Sequence, residues 1–332
     1  MALRSPSDAD WMAATARLAA RARPSSSPNP GVGAIVCKNG KVLARGWTRA
    51  GGRPHAEADA LSQLTKDQAR GATIYVTLEP CAHQSDRGPA CADLLCEAEP
   101  ARIVIGQHDP DPRTAGSGIA RIEAAGIEVS VLEDTASYRS LAGYLMRQRA
   151  GRPFVTLKLA QSLDGAIALA DGTSQWITAD IARAHCHAMR AGADAILVGG
   201  GTWRADQPRL DVRLPGLAQR SPKRVVLTQG EAPGGVLAIA SPFAISKLTQ
   251  VMHLYVEGGA ATAASFLAAD LVDELHLYQA PIVIGSDGLS SIGALGLGDL
   301  ASAHDRWRAS DARILGRDRF TAYLRVRDTS PA

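Results

Sequence analysis

Four side chains in the first third of the chain are of the kinds that could work on one ligand. His55 and Glu57 stand two apart in the stretch GGRPHAEADA, Cys81 closes the turn Glu79-Pro80-Cys81, and Cys91 follows ten residues later. One imidazole and two thiolates suit zinc. A set of three leaves the fourth tetrahedral position open, as in catalytic rather than structural sites. Glu57, beside a ligand at a predicted helix start, could reach that open position without ligating the metal and move protons there. A plainer reading also exists, because a Glu near a helix start simply complements the positive end of the helix dipole. Cys96, five residues after Cys91 in the same predicted helix, is the rival third ligand; otherwise it is a buried helix residue.

Strands and helices must bring these residues together. VGAIV and KVLARG flank Lys38-Asn39-Gly40, whose Asn-Gly is a strong hairpin signal. A helix is predicted from about His55 to Leu64, a strand over TIYVTL (73–78) and a helix from about Ala90 to Glu99. Then come a strand over RIVIG (102–106), the loop QHDPDPRTAGSG, a helix to Ala125, a strand over IEVSVL and a closing helix to about Arg149. Ahead of all these, Trp11, Ala14, Thr15, Leu18 and Ala19 form an apolar stripe at helical spacing, with Ser7 or Asp8 as the cap. Strands alternating with helices imply a layered α/β domain.

The stretch RQRAGRPF (147–154) breaks the pattern, which divides the chain into domains at 1–149 and 150–332. In the second, FVTLKLA, DAILVGG, RVVLT and HLYVEGG read as strands, two of them ending in glycines. TADIARAHCHAMRA reads as a helix capped by Thr178, TAASFLAA as another helix, and VDELHLYQAPIVIG as a long strand region. The three glycines closing DAILVGGGT would let backbone amides approach a pyrophosphate. They do not spell GxGxxG, so a dinucleotide-binding fold of that type is not indicated.

Composition sets bounds on partners. The chain has 332 residues, 46% hydrophobic and 21% charged, ordinary usage for a globular protein. A net charge of +3 with 5% aromatic residues argues against a nucleic-acid or membrane surface and leaves phosphorylated small molecules open. No apolar run is long enough to span a bilayer, and the N-terminus lacks the apolar core of a signal peptide, so a cytoplasmic protein is expected. Five cysteines, an odd number, argue against a disulfide framework. Cys37 and Cys186 read as ordinary buried side chains. A homo-oligomer is left open.

PNPGVGAIV, HAEADAL, GATIYVTLEPCAH and DPDPRTAGSGI resemble the deaminase half of the bifunctional riboflavin-biosynthesis deaminase–reductases. The general signature of zinc nucleobase deaminases, His-x-Glu with Pro-Cys-x-x-Cys, is met here except for the cysteine spacing, ten rather than three. This family has the longer spacing; its usual loop is about one residue shorter than CAHQSDRGPAC and reads Gly-Arg-Thr-Pro-Pro, so the loop here is taken as a tolerated variant. The resemblance implies a cytidine-deaminase-like three-layer α/β domain with zinc on His55, Cys81 and Cys91 and Glu57 as the catalytic proton carrier. Asn29, between two prolines, would present its amide to a pyrimidine edge; without the resemblance it is a turn residue. His83 would face the substrate or cap a helix. Asp109 or Arg113 would meet the ribosyl phosphate, or only close a turn.

VTLKLAQSLDGAIALADGTSQWIT, ARAHCHAMRAGADAILVGGGT, ADQPRLDVR and LYVEGG resemble the reductase half of the same family, a fold similar to dihydrofolate reductase. By that resemblance Ala160, Trp176, Thr202 and Asp206 touch NADPH, with Glu257, Gly258 and Gly259 closing the cofactor site. Ser174, Arg190, Leu210 and Arg213 hold the substrate, the arginines through its phosphate, and Lys158 binds the opened sugar. The chain departs from the family at Gln207, where a second acidic residue is usual, and at Arg204, where small or apolar residues are more frequent and an arginine would favour the cofactor's extra phosphate. It is also shorter between Thr228 and Val251. The implied activity is hydrolytic deamination of a diamino-pyrimidinone ribosyl phosphate, followed by NADPH-dependent reduction of the ribosyl group. The rival readings are a nucleic-acid-editing deaminase and a deaminase whose second domain serves assembly alone.

Overall fold

A computed structural model describes residues 5–83, 87–231 and 234–327. Parts of two quoted stretches, residues 84–86 and 232–233, lie outside them. The chain divides into two compact units, Met1–Gly151 and Arg152–Ala332.

The first unit runs α1 (Asp8–Ala19), β1 (Gly33–Lys38), β2 (Lys41–Trp47), α2 (Ala56–Leu61), α3 (Lys66–Ala69), β3 (Thr73–Val76), α4 (Cys91–Ala98), β4 (Arg102–Ile105), α5 (Ser117–Ala124), β5 (Glu128–Val131), α6 (Thr135–Ser140) and α7 (Ala142–Ala150). Its sheet has the order β2-β1-β3-β4-β5. The first three strands are antiparallel neighbours and the last two run parallel to β3. Asn39 and Gly40 both take positive φ, as the tight hairpin requires. Alternate residues of the strands face opposite ways: Ile35, Cys37, Tyr75 and Val104 pack with Met12 of α1, while α2 lies against β1 and β2 and contacts α4. Helices on both faces make three layers.

The capping box of α1 is Ser7 with Asp10. Its buried stripe is Met12, Thr15, Ala16 and Ala19, rotated from the sequence expectation. The closing helix is two helices, α6 and α7, with Leu141 at the junction outside helical geometry (φ −98°, ψ 2°).

The second unit continues with β6 (Phe154–Gln161), β7 (Ala166–Ala168), α8 (Asp180–Arg190), β8 (Ala195–Gly199), α9 (Gly200–Asp206), β9 (Lys223–Leu227), β10 (Leu237–Ile239), β11 (His253–Val256), α10 (Ala260–Ala268), β12 (Glu274–Gln279), β13 (Leu289–Ser290), β14 (Trp307–Leu315) and β15 (Asp318–Arg325). The main sheet has the order β10-β9-β8-β11-β6-β12-β15-β14, and β13 pairs with β7 separately. All but the last two pairings of the main sheet are parallel. One face buries Leu157, Leu197, Val256 and Phe266; the other buries Cys186 of α8 with Ile196, Tyr255, Tyr278 and Phe320. Apolar runs such as AILV are what strands covered on both faces require.

Two expectations are corrected here. Ala179, not Thr178, is the N-cap residue of α8; its N–H goes to Asp318 at 2.7 Å, and the Thr178 carbonyl accepts Arg183 instead. The long strand region stops at Gln279, because Pro281 has no N–H to continue a ladder. Beyond it the Ile282 carbonyl accepts from Leu163, and Asp164 accepts the N–H groups of Ile284 and Gly285.

Candidate functional sites

His55 stands at the N-cap position of α2, Cys81 beyond the end of β3, and Cys91 at the first position of α4. Each is fixed by backbone packing. A Cβ on Gly46 of β2 would lie 2.1 Å from the Ala56 carbonyl oxygen, so only glycine lets α2 sit this close. Asp59 of α2 also accepts the Trp47 N–H at 3.1 Å. Buried Glu79 ties the Glu-Pro-Cys turn to the loop before α5 and to the first turn of α5, accepting N–H groups from Asp109, Gly118 and Ile119. Cys91 N–H points at Cys81 Sγ from 3.4 Å, and Ala92 N–H donates to the Cys81 carbonyl.

His55 Nδ1 lies 3.2 Å from Cys91 Sγ and 3.6 Å from Cys81 Sγ, and the three ligand atoms fall within 4.8 Å of one another. Ligands about 2.3 Å (sulfur) and about 2.1 Å (nitrogen) from a tetrahedral zinc are about 3.6 Å apart, so the set fits the ion. Among the described residues it is the one such cluster. Cys96 is outside it, with its sulfur toward the Arg121 carbonyl at 3.9 Å. The Cys91 thiol, His55 and the Cys91 N–H hold Cys81 down to about 4 against the opposing effect of burial, while Cys91 is pushed up by its bond to Cys81. One thiolate is thus already favoured over the thiol. Glu57 is 4% exposed, and burial pushes its carboxyl up to about 7, in the range of a working proton carrier.

Glu57 and His55 line a cavity of about 400 Å³ together with Asn29, His83, Asp109 and Arg113. The sequence expectations for the first unit, Cys91 apart, therefore converge on one pocket, whose wall Cys81 also joins. Asn29 is steadied by its amide on the Ser26 carbonyl at 3.4 Å. The buried Nδ1 of His83 has no hydrogen-bond partner among the described residues. Asp109 accepts the Tyr144 hydroxyl at 2.7 Å, and Arg113 is clamped by Asp111 through both ends of its guanidinium. Glu79, Asp111 and Tyr144 were not foreseen. A carboxylate following an apolar strand was the available signal for Glu79; Tyr144 gave none, because its helix read only as a closing element.

In the second unit Lys158, Arg190 and Glu257 meet on the α8 face of the sheet. Arg190 grips Glu257 through Nε at 2.5 Å and Nη2 at 2.9 Å, and its Nη1 donates to the Asp211 carbonyl at 3.0 Å. Lys158 Nζ is 3.6 Å from the same carboxylate. Burial alone would raise Glu257, but Lys158 and Arg190 outweigh it and hold the carboxyl at about 2. Arg190, expected on a substrate phosphate, has its donors turned inward. Arg213 is half exposed and stands beside His187 at 3.3 Å.

The remaining expectations are spread over the ends of strands, the stretch before α8, and α9. Leu210 is 5% exposed, with its side chain in the core and φ +54°. Trp176 is 62% exposed, with Arg183 4.7 Å from its ring centroid. Ser174 and Asp206 are exposed, and Ala160 is half-buried. A Cβ on Gly258 would strike Thr262 at 2.3 Å, so that glycine serves the packing of α10. A Cβ on Gly259 would meet only the Thr202 hydroxyl at 3.7 Å, which leaves bare backbone beside a hydroxyl, a cradle that fits a pyrophosphate.

Residues 5–107 match the cytidine and deoxycytidylate deaminase zinc-binding region, and residues 153–234 and 236–318 match the RibD C-terminal domain. The riboflavin biosynthesis protein RibD of Escherichia coli (strain K12) is 36% identical in an alignment 360 positions long that covers 94% of this chain and 97% of its own. That of Bacillus amyloliquefaciens is 37% identical over 83% of this chain and 85% of its own. Among solved structures, Acinetobacter baumannii RibD aligns with a TM-score of 0.85 at 33% identity, covering 96% of this chain and 99% of its own. A diaminohydroxyphosphoribosylaminopyrimidine deaminase/5-amino-6-(5-phosphoribosylamino)uracil reductase of Thermotoga maritima gives 0.84 at 30% identity over the same shares.

Proposed function

The chain belongs to the RibD family, bifunctional deaminases and reductases of riboflavin biosynthesis, and from that premise we propose how its residues divide the two reactions. The deaminase works in the first unit and the NADPH-dependent reductase in the second, with the change of task near residue 150. His55, Cys81 and Cys91 hold the zinc. When bound, the ion acts as a Lewis acid that makes water a nucleophile near neutral pH. Glu57 carries the proton from the attacking water to the departing amine; its burial beside the ligands, with a carboxyl poised at about 7, supports that role. Asn29 orients the pyrimidine edge, and His83 and Arg113 meet the rest of the substrate.

In the second unit NADPH supplies the hydride. Thr202 and Gly259 line its pyrophosphate, with Gly258 giving α10 its close approach, while Ala160, Trp176 and Asp206 flank the rest. Ser174, the Leu210 backbone and Arg213 hold the substrate, and Lys158 binds the opened sugar. Arg190 is assigned a positioning role: its grip on Glu257 supports a fixed carboxylate beside Lys158.

The substrate is a phosphorylated ribosyl pyrimidine, as the name of the Thermotoga maritima protein says of that relative. A cavity of about 400 Å³ suits one such molecule and not a polynucleotide. The place of action is the cytoplasm; no helix among the described residues is long and apolar enough to cross a membrane.

The single observation that carries this reading is the triangle of His55, Cys81 and Cys91 with Glu57 against it in one pocket. A coupled assay tests the whole. The diamino substrate should release ammonia first and consume NADPH second; NADPH consumption with no preceding ammonia release would overturn the proposed order and division.

A further inference from the structure

Arg204 lies on α9 one helical turn after Gly200 and reaches back over it. Gly199 pairs with Leu227 in the parallel register of β8 and β9, so Gly200 and Thr228 leave the sheet side by side. A Cβ built on Gly200 would come within 3.2 Å of Arg204 Nη1 and 3.3 Å of Thr228 Oγ1. A guanidinium, a hydroxyl and a stretch of bare backbone therefore converge on one point. Thr228 Oγ1 already accepts the Gly230 N–H at 3.1 Å, which leaves its own O–H to donate. Arg204 is exposed, and among the described residues no carboxylate pairs with it, whereas Arg183, Arg190, Arg209 and Arg213 in the same unit each have an acidic partner.

Convergent donors with one uncompensated positive charge suit an anion with several oxygens, and guanidinium is the side chain best shaped for phosphate. The cradle at Gly259 and Thr202 belongs to the gap between β8 and its neighbour β11, on the other side of β8. A cofactor with its pyrophosphate there and its adenosine across the end of β8 would bring its ribose to the gap between β8 and β9. The phosphate on that ribose is the one chemical difference between NADPH and NADH.

We propose that Arg204, with Thr228, reads the 2′-phosphate of NADPH and sets this chain's preference for the phosphorylated cofactor. This rests on the reductase reading of the second unit and adds the residue that discriminates. An uncharged ribose hydroxyl offers the guanidinium no charge to pair with, so NADH binds without this contact.

Binding can be measured with no turnover. Calorimetric titration of the full chain with adenosine 2′,5′-bisphosphate and with adenosine 5′-monophosphate should show clear preference for the bisphosphate. Arg204→Ala should cut that preference by about tenfold to a hundredfold, the range of one charge-assisted hydrogen bond, with the monophosphate affinity little changed. Thr228→Val should cut it by less, and Arg204→Lys should keep part of it. An unchanged melting temperature for Arg204→Ala is expected, since the side chain is exposed and unpaired. Equal affinity of the unaltered chain for both ligands, or an intact preference in Arg204→Ala, overturns the proposal. Equal losses for both ligands overturn it too, since they would make Arg204 a general contact. NADPH consumption by the unaltered chain with deaminated substrate reports separately on the reductase reading.

Discussion

In the first unit three donor atoms are gathered at one point and left for a ligand to complete: His55, Cys81 and Cys91 have one another within 4.8 Å. In the second, Lys158 and Arg190 already have Glu257, and the cluster is closed before any ligand arrives. The first arrangement is an unfinished coordination sphere and the second a finished ion triad. A group that waits for a ligand can be removed at the expense of function with little loss of fold; a buried triad cannot lose its centre without stranding its partners. Function and stability should therefore separate in one unit and coincide in the other.

The largest effects should come from the unfinished site. Cys91→Ser should lose the zinc, about one ion per chain, and with it ammonia release, while Cys96→Ser keeps both. Retention of zinc by Cys91→Ser and its loss from Cys96→Ser would reverse the ligand assignment. Glu57→Gln should keep the metal and the fold and slow ammonia release by about 10²–10⁴-fold, with reduction of pre-deaminated substrate unaffected. Near-normal ammonia release would end the assignment of Glu57 as proton carrier.

Next in size is the centre of the triad. Glu257→Gln leaves Arg190 and Lys158 without their carboxylate, and the second unit should lose about 3–5 kcal/mol in urea unfolding. An undiminished unfolding midpoint would show that the triad is not structural and would dissolve the comparison. Acid should act more gently in the same direction. The folded carboxyl titrates at about 2, below the ordinary Glu value of about 4.3. Its stabilisation is therefore complete above the ordinary value and drains away as pH falls toward the folded one. That linkage is worth about 3 kcal/mol, roughly half of it gone by pH 3. The gap in stability between the unaltered chain and Glu257→Gln should narrow accordingly, and a constant gap from pH 6 to pH 3 would contradict the pairing. The smallest effect concerns the shortened stretch after Thr228, which among the described residues keeps β10 and a six-residue 3-10 helix over Pro242–Lys247. Looser hold on the adenosine end should raise KM for NADPH a few-fold with kcat little changed; absence of hydride transfer at saturating NADPH would mean that the shortening has disabled the reductase.

Legibility in the sequence follows the same division. His55, Glu57, Cys81 and Cys91 could be read because their spacing is local and the chemistry of zinc restricts residue types sharply. Lys158, Arg190 and Glu257 are far apart in sequence, and each alone is an ordinary charged residue; resemblance found them, but not that they hold one another. Strand positions in the parallel core were visible as apolar runs, and the hairpin at Asn39-Gly40 from its turn residues. The junction at Leu141 carries no Pro, and the nearby Gly143 is taken up inside α7. The cap of α8 was misplaced because the acceptor for Ala179, Asp318, is 139 residues away. The β14–β15 hairpin was not read from the sequence, although Phe320 and Ala322, buried in β15, alternate with more exposed neighbours.

The bonds from Cys91 N–H to Cys81 Sγ and from Ala92 N–H to the Cys81 carbonyl mean that the chain leaves Cys81 and comes back to the same spot. A path that returns to its starting point can change its contour length without moving either end, and the entropic cost of the extra contour grows only as the logarithm of its length. The segment between the two cysteines is in that sense a free insertion site framed by the metal ligands themselves. Its length is open to drift, or to deliberate exchange, as long as His83 keeps its place in the pocket wall, while the coordination geometry stays fixed by the two residues at its mouth.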